Sequence, residues 1–253
     1  MKNIKKTFTI IKNEKIARAT YEMKLSGDVS DITRPGQFVA IRLDGFFLRR
    51  PISVCDIDDV SDGGSGILTL IYKTVGGGTE YMSTLRPGVE LDILTGLGNG
   101  YDTKKSGPSP LLIGGGCGVP PLYLLARRLI AEGKHVSVIL GFGSADEVFY
   151  EDKFREIGAS VIVTTADGSY GIRGFATDAL PHTGLYTYTY SCGPEPMLRA
   201  VYKAAATSGQ YSFEERMACG FGVCMGCSCR TVTGYKRICK DGPVLEKEEI
   251  LWK

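Results

Sequence analysis

Over the first third of the chain, short runs rich in β-favouring residues, some of them alternating apolar and polar, recur at 7–12, 17–25, 37–43, 52–56, 66–72 and 89–94. A period of two puts successive side chains on opposite faces of a strand. Six such runs separated by turn signals, among them Arg34-Pro35-Gly36-Gln37 and Arg86-Pro87-Gly88, predict a small antiparallel barrel. Residues 78–85 read as one or two helical turns. Residues 101–110 are polar, with Gly107, Pro108 and Pro110, and read as a linker. Beyond them the period lengthens and strands alternate with helices: strand 111–113, helix 122–132, strand 135–140, helix 147–157, strand 159–164, short helix 175–180, strand 186–191 and helix 197–208. This alternation implies right-handed crossovers and a parallel sheet that receives ligands at its strands' carboxyl ends. The whole reads as a multi-domain β plus α/β chain: an antiparallel β-barrel over 1–100, a parallel-sheet domain over 101–210 and a small module over 211–253.

Composition narrows the class. The 253 residues are 43% hydrophobic, ample for more than one core. A net charge of +2 with scattered Lys and Arg gives no electrostatic footprint for nucleic acid and no polybasic membrane anchor. No apolar run nears the roughly 20 residues of a membrane span, and residues 1–6 lack the apolar stretch that follows in a signal peptide, so a cytoplasmic protein is expected. The 33 glycines are bunched at 63–66, 76–78, 96–100, 114–118 and 168–174. Such loops let a backbone approach a large ligand closely, and tight turns would explain several of them equally well.

The tail carries the most specific chemistry. Cys219, Cys224, Cys227 and Cys239 follow the order C-x4-C-x2-C, then eleven residues, then C. This is the spacing of plant-type [2Fe–2S] sites, whereas structural zinc normally takes two C-x2-C pairs. Gly220, Gly222 and Gly226 suit a loop that bends tightly and turns its N–H groups toward sulfur. Residues 228–238 read as a hairpin about Thr233-Gly234, which returns Cys239 to Cys227 and makes Cys239 the fourth ligand. Cys229 is displaced along the strand and is read as a spare thiol. The other cysteines, Cys55, Cys117 and Cys192, are dispersed, which fits a reducing compartment better than a disulfide framework. Cys55 and Cys117 read as small buried residues.

Between the first apolar strand of the second domain and its helix lies Gly114-Gly115-Gly116-Cys117-Gly118, followed by Pro120 and Pro121. A strand–glycine loop–helix brings phosphate to a helix N-terminus, although Pro121 stands where the dinucleotide fingerprint has its third glycine. The alternative is a glycine turn serving only helix–sheet packing. Cys192-Gly193-Pro194-Glu195-Pro196 closes the last strand, at the same edge of the sheet, so the two loops are expected to flank one extended ligand. His135 and His182 read as surface positions, and Tyr186, Tyr188 and Tyr190 as a strand face. No Ser/His/Asp or paired-carboxylate set for hydrolysis is evident.

With these motifs in place, the chain resembles, end to end, the ferredoxin–NADP reductase superfamily and, within it, the electron transfer subunits of dihydroorotate dehydrogenases of the B class. Arg50-Pro51-Ile52-Ser53 is similar to that family's flavin signature, which implies Arg50 on the FAD pyrophosphate and Ser53 near flavin N5; Ile52 replaces an aromatic residue of broader superfamily members. Ile71-Tyr72-Lys73 and Gly78-Thr79 resemble its other FAD contacts. The loops bearing Gly114, Gly115, Gly116 and Gly118, and Cys192, Gly193 and Pro194, resemble its two nicotinamide-dinucleotide loops. Residues 219–227 with 236–244 resemble its cluster module. The resemblance implies a relay in de novo pyrimidine biosynthesis, with NAD(H), FAD and a [2Fe–2S] cluster. It also implies a separate FMN-containing catalytic subunit, in a heterotetramer with two copies of each, because nothing in the sequence would abstract a proton from dihydroorotate. Two other functions fit the same residues: a flavin and iron–sulfur reductase subunit of a hydrogenase, sulfide reductase or transhydrogenase, and a zinc-stabilised nucleotide-binding regulatory module. The lack of an arginine pair after Gly141-Phe142-Gly143-Ser144 favours NAD over NADP.

Overall fold

The computed structural model describes residues 5–59 and 65–252, with the backbone alone at Asp59; the reading of residues 1–4 and the glycines at 63 and 64 fall outside it. Six strands close into an antiparallel barrel: β1 (Lys5–Ala17), β2 (Thr20–Asp28), β3 (Phe38–Ile41), β4 (Arg50–Asp59), β5 (Ser65–Lys73) and β6 (Glu90–Leu97), in the order β1-β2-β5-β4-β3-β6. The alternation accounts for its interior, where Phe8, Ile10, Met23, Leu25, Leu68, Leu70 and Ile93 are shut away from water. Ala17, expected in the second strand, belongs to β1. It pairs with Thr20 across a two-residue turn in which Ala19 takes φ +54°. The helical turns expected at 78–85 form α1 (Gly77–Thr84), between β5 and β6.

The second half holds β7 (Pro110–Gly115), α2 (Pro120–Ala131), β8 (Ser137–Phe142), α3 (Glu151–Glu156), β9 (Ser160–Thr165), β10 (Ile172–Arg173), β11 (Tyr188–Cys192), α4 (Glu195–Ala204) and β12 (Gly209–Ser212). The tail adds β13 (Ser228–Thr231), β14 (Gly234–Arg237) and β15 (Val244–Glu246). The main sheet runs β10-β9-β8-β7-β11-β12-β15, parallel except for β15, which pairs antiparallel with β12. Prolines 120 and 121 occupy the first turn of α2, where the missing N–H groups have no helical acceptor to lose.

Several expectations are corrected. The helix at 147–157 is a 3-10 turn (Ala145–Glu147) followed by α3, because Tyr150 adopts a left-handed φ of +66° between them. The segment at 175–180 is a 3-10 helix over Ala176–His182, with Pro181 inside it. The helix at 197–208 starts two residues earlier and ends at Ala204. The strand at 186–191 is not the sheet's last, since β12 and β15 lie beyond it. β10 has only two residues, and β12 reads Gly-Gln-Tyr-Ser, so neither carries an apolar period.

The 101–110 segment is pinned rather than slack. Tyr101 is buried and donates to the Ser191 carbonyl at 3.0 Å, and Asp102 N–H donates to Gln210 at 2.9 Å. Barrel and sheet also meet through α2, whose Arg127 Nη1 lies 2.6 Å from both carboxylate oxygens of Asp56 on β4. The tail is clamped by Asn99, just past β6. Its amide donates to the carbonyls of Asp241 (3.2 Å) and Val244 (2.7 Å), its oxygen accepts from Val244 N–H (3.1 Å), and its own N–H donates to the Gly242 carbonyl (2.7 Å). Phe38, Ala40, Leu94 and Leu97 of the barrel share one core with Cys227, Ile238 and Cys239 of the tail.

Candidate functional site

The cysteine loop is built by backbone turns that few residues tolerate: Gly220, Gly222 and Met225 have φ of +77°, +90° and +62°. At Gly222 a Cβ would stand 2.5 Å from the Lys240 side chain. The hairpin β13–β14 forms as expected and brings Cys239 N–H to 3.4 Å from the Cys227 sulfur. Cys227 and Cys239 are buried, Cys219 is half-buried and Cys224 is exposed. Burial opposes ionisation of Cys219, but the N–H groups of Cys224, Phe221 and Val223 outweigh it and hold the thiol down at about 6. Burial and the neighbouring Cys227 push Cys239 up to about 12. A loop with N–H groups turned onto sulfur fits a [2Fe–2S] cluster. Cys229 lies one strand step beyond, half-buried, opposite Lys236 in the hairpin register.

Arg237, which the sequence places in the cluster-module resemblance without a role of its own, secures this loop. It makes a two-pronged ion pair with Asp241 (2.9 and 3.1 Å) while its Nη1 donates to the Gly222 carbonyl at 2.8 Å. The loop packs against the barrel, and a Cβ on Gly220 would lie 3.8 Å from that of Ala40. Ala40 is paired with Pro51, and Phe38 with Ser53, so the flavin-like signature occupies the strand next to the one the cysteine loop touches.

Arg50 projects across the start of α1. A Cβ at Gly78 would fall 2.2 Å from Arg50 Nε, so the guanidinium lies in the space that the glycine leaves and a larger residue would displace it. It stacks 4.9 Å over the Phe46 ring and donates to the Leu48 carbonyl. With the first-turn N–H groups of α1, which lack helical acceptors, it forms a cradle suited to a pyrophosphate. Thr79 turns its hydroxyl to the entering chain, donating to the Gly76 carbonyl at 3.0 Å and accepting from Val75 N–H at 2.9 Å. Pro51 is exposed, and Ile52 and Ser53 are half-buried. Ile71 and Tyr72 are buried, with Tyr72 bonded to Asn13 at 2.9 Å, so their side chains serve packing. Lys73 Nζ is ion-paired with Glu147 of the sheet domain at 2.9 Å.

A cleft of about 730 Å³ opens at the carboxyl ends of the central strands. Gly115, Gly116, Gly118 and Pro194 line it, together with Lys73 and Glu147. The two expected loops touch: a Cβ on Gly118 would come 2.1 Å from the Cys192 carbonyl oxygen. Gly114 stays in β7, where a Cβ would press on Leu122 and Val119, so it serves helix–sheet packing. Cys192 is buried beneath the cleft, and Gly193 borders a smaller cavity of about 210 Å³ against the tail. Cys117, expected to be buried, is exposed on the cleft wall because the turn that begins at Gly116 (φ +51°) faces it outward. Cys55 is buried, and His135 and His182 are exposed, as expected.

Three lining residues escaped the sequence reading. Thr164 Oγ1 is buried at the cleft without a hydrogen-bond partner, Phe175 stands 72% exposed at its mouth, and Glu214 lines both cavities. An orphan hydroxyl and an exposed ring beside glycine loops match the polar and planar groups of a dinucleotide. Only the threonine's place at a strand's carboxyl end was open to inference from sequence.

The barrel, the parallel sheet and the cleft between them define an oxidoreductase with the fold of flavin- and nicotinamide-dependent reductases. Among solved structures, an NADH-dependent reduced ferredoxin–NADP oxidoreductase chain superposes with a TM-score of 0.86 at 30% identity, over 97% of this chain and 90% of that one. An Amycolatopsis cytochrome P450 reductase, at 24% identity, a TM-score of 0.67, and 79% and 65% coverage, shares the fold. Residues 214–251 match the iron–sulfur cluster binding domain of dihydroorotate dehydrogenase B. Dihydroorotate dehydrogenase B (NAD(+)) electron transfer subunits from Fusobacterium nucleatum and Shouchella clausii are 45% and 43% identical to it. They align over 93% and 96% of this chain and 94% and 96% of their own. The chain belongs to the family of dihydroorotate dehydrogenase B electron transfer subunits.

Proposed function

We propose that this chain carries electrons between NAD(H) and a dihydroorotate dehydrogenase catalytic subunit, holding FAD in residues 1–100, NAD(H) in 101–210 and a [2Fe–2S] cluster in 211–253. The observation that carries this reading is adjacency. The cysteine loop packs on β3, β3 pairs with the strand bearing Arg50–Ser53, and Lys73 at the end of β5 borders the cleft. FAD exchanges hydrides and single electrons, and the cluster single electrons only, so the order cleft, flavin cradle, cysteine loop follows the chemistry.

Arg50 and the start of α1 neutralise the pyrophosphate, and Thr79 keeps that helix entry closed. The touching loops at Gly118 and Cys192 set where the dinucleotide lies. Cys219, Cys224, Cys227 and Cys239 supply thiolates, toward which Val223 N–H (3.3 Å to the Cys219 sulfur) and Cys239 N–H are directed. Phe221, Val223 and Met225 are 45%, 73% and 54% exposed around the ligands, an apolar rim on which a partner docks. That partner is an FMN-containing catalytic subunit, two of each chain forming a cytoplasmic heterotetramer in pyrimidine biosynthesis.

The experiment is co-purification from the native cell with assay of the captured complex. NAD+-dependent orotate formation supports the proposal. The 30% relationship to a ferredoxin–NADP oxidoreductase chain supports a second reading, a subunit of another flavin-based complex. Capture of such an enzyme without orotate chemistry would replace the first with the second.

A further inference from the structure

The loop after β8 forms one wall of the cleft through Phe142, Gly143 and Glu147, yet it is tied to the barrel and not only to its own sheet. Glu147 is the knot. One carboxylate oxygen, Oε1, accepts from Lys73 Nζ at 2.9 Å, at the end of β5, and from Arg18 Nη2 at 3.0 Å, in the β1–β2 turn. The other, Oε2, accepts from Gly143 N–H at 3.1 Å. A Cβ on Gly143 would come 2.7 Å from Oε2, so glycine at 143 makes room for the carboxylate. Arg18 N–H also donates to the Asp146 carbonyl at 2.8 Å, which places the whole turn against this loop. The Glu147 side chain is 16% exposed and those of Lys73 and Arg18 are 34% and 59%, so the knot is partly shielded from solvent. The hydrogen bond from Lys73, aided by Gly143 N–H and against the cost of burial, holds the Glu147 carboxyl below its usual range, so it is ionised at neutral pH.

We infer that Glu147 is a positioning residue for hydride exchange: by joining Lys73 and Arg18 of the barrel to the β8 loop, it fixes the wall of the dinucleotide cleft relative to the flavin cradle. The inference rests on the cleft taking NAD(H). Without the carboxylate the two domains keep the Arg127–Asp56 contact and the Arg18 N–H bond to the Asp146 carbonyl, but lose the side-chain ties from Lys73 and Arg18 at the cleft wall. The dinucleotide then binds against a wall held less firmly. Transfer between two bound rings depends steeply on separation and angle, so the loss falls on the rate at saturation rather than on folding.

The test is anaerobic stopped-flow reduction of the full-length flavoprotein by NADH, compared for wild type, Glu147→Gln, Arg18→Ala and the double variant. Glutamine keeps an acceptor for Gly143 N–H while removing the charge. Expected is a fall of about tenfold in the limiting rate for Glu147→Gln, a smaller fall for Arg18→Ala, and a double variant no worse than Glu147→Gln alone, as for residues acting as a unit. Flavin and iron content stay at wild-type levels. A limiting rate within about twofold of wild type, whether only the melting temperature drops or only the KM for NADH changes, overturns the inference, because Glu147 then acts on stability or ligand charge alone. If wild type itself fails to react with NADH, the assignment of the cleft is what has failed.

Discussion

In the proposed flavin cradle, Arg50 is the residue on which flavin retention is expected to turn. Its guanidinium is held by the Phe46 ring and occupies the space left by the missing side chain at position 78. Removing a charge-assisted partner of a phosphate costs about 1.5–3 kcal/mol, so Arg50→Ala raises the FAD dissociation constant by roughly 10- to 100-fold in a flavin-binding titration of apoprotein. Unchanged affinity places the pyrophosphate elsewhere. In the tail, Cys239→Ser abolishes iron and sulfide content and Cys229→Ser leaves them near wild type; the reverse pattern exchanges the fourth ligand. These residues stand out as candidates in the sequence because their chemistry lies in their identity and local spacing. Arg237 and Asn99 were not, because what they do depends on partners that only the fold supplies: the atoms of Asn99 bond to Val244, 145 positions away.

At the level of elements, the contact between the turn before α2 and the end of β11 decides the shape of the cleft. A methyl group at Gly118 meets the Cys192 carbonyl and Gly193 nitrogen, which are backbone atoms with no flexible side chain to yield. Gly118→Ala therefore pushes the two loops apart and, for a displacement near 1 Å, lowers kcat/KM for NADH by up to about 100-fold, while flavin absorbance stays at wild-type level. Wild-type kinetics would make this contact irrelevant to the dinucleotide. The strong two- and 3.6-residue periods revealed the barrel strands and α2 from sequence. Where the period failed, other forces had decided: a left-handed Tyr150 splits the expected helix at 147–157, and β10, β12 and β15 are strands because neighbouring edges need partners, not because their own residues demand it.

For the molecule as a whole, the barrel and sheet are joined by a partly buried ion pair whose worth depends on pH. Burial outweighs the hydrogen bond from Arg127 and raises the Asp56 carboxyl above its ordinary range. The folded state thus binds this proton more tightly than the unfolded state, and Asp56's contribution is most favourable at acid pH and diminishes as pH rises through its folded pKa. Arg127→Met strips the partner and leaves a largely buried carboxylate, costing about 2 kcal/mol at pH 7, less than for a fully buried pair because Arg127 is 37% exposed, and part of that loss returns on acidification as Asp56 takes up a proton. Urea midpoints at neutral and at acid pH check this, and a loss that does not shrink on acidification would remove Asp56 from the account.

The three-part division was readable along the chain, but its integration was not. Asn99 clamps the tail to the barrel and β15 extends the nicotinamide-type sheet, so the cysteine module is part of both neighbours. That joining underlies the central claim of one continuous electron path. Its most direct measurement is anaerobic purification followed by assay of iron, acid-labile sulfide and flavin, with the visible spectrum recorded before and after addition of NADH. About two irons, two sulfides and one flavin per chain are predicted, with NADH bleaching both chromophores. A colourless zinc-loaded protein, or one whose spectrum NADH leaves untouched, would contradict the account.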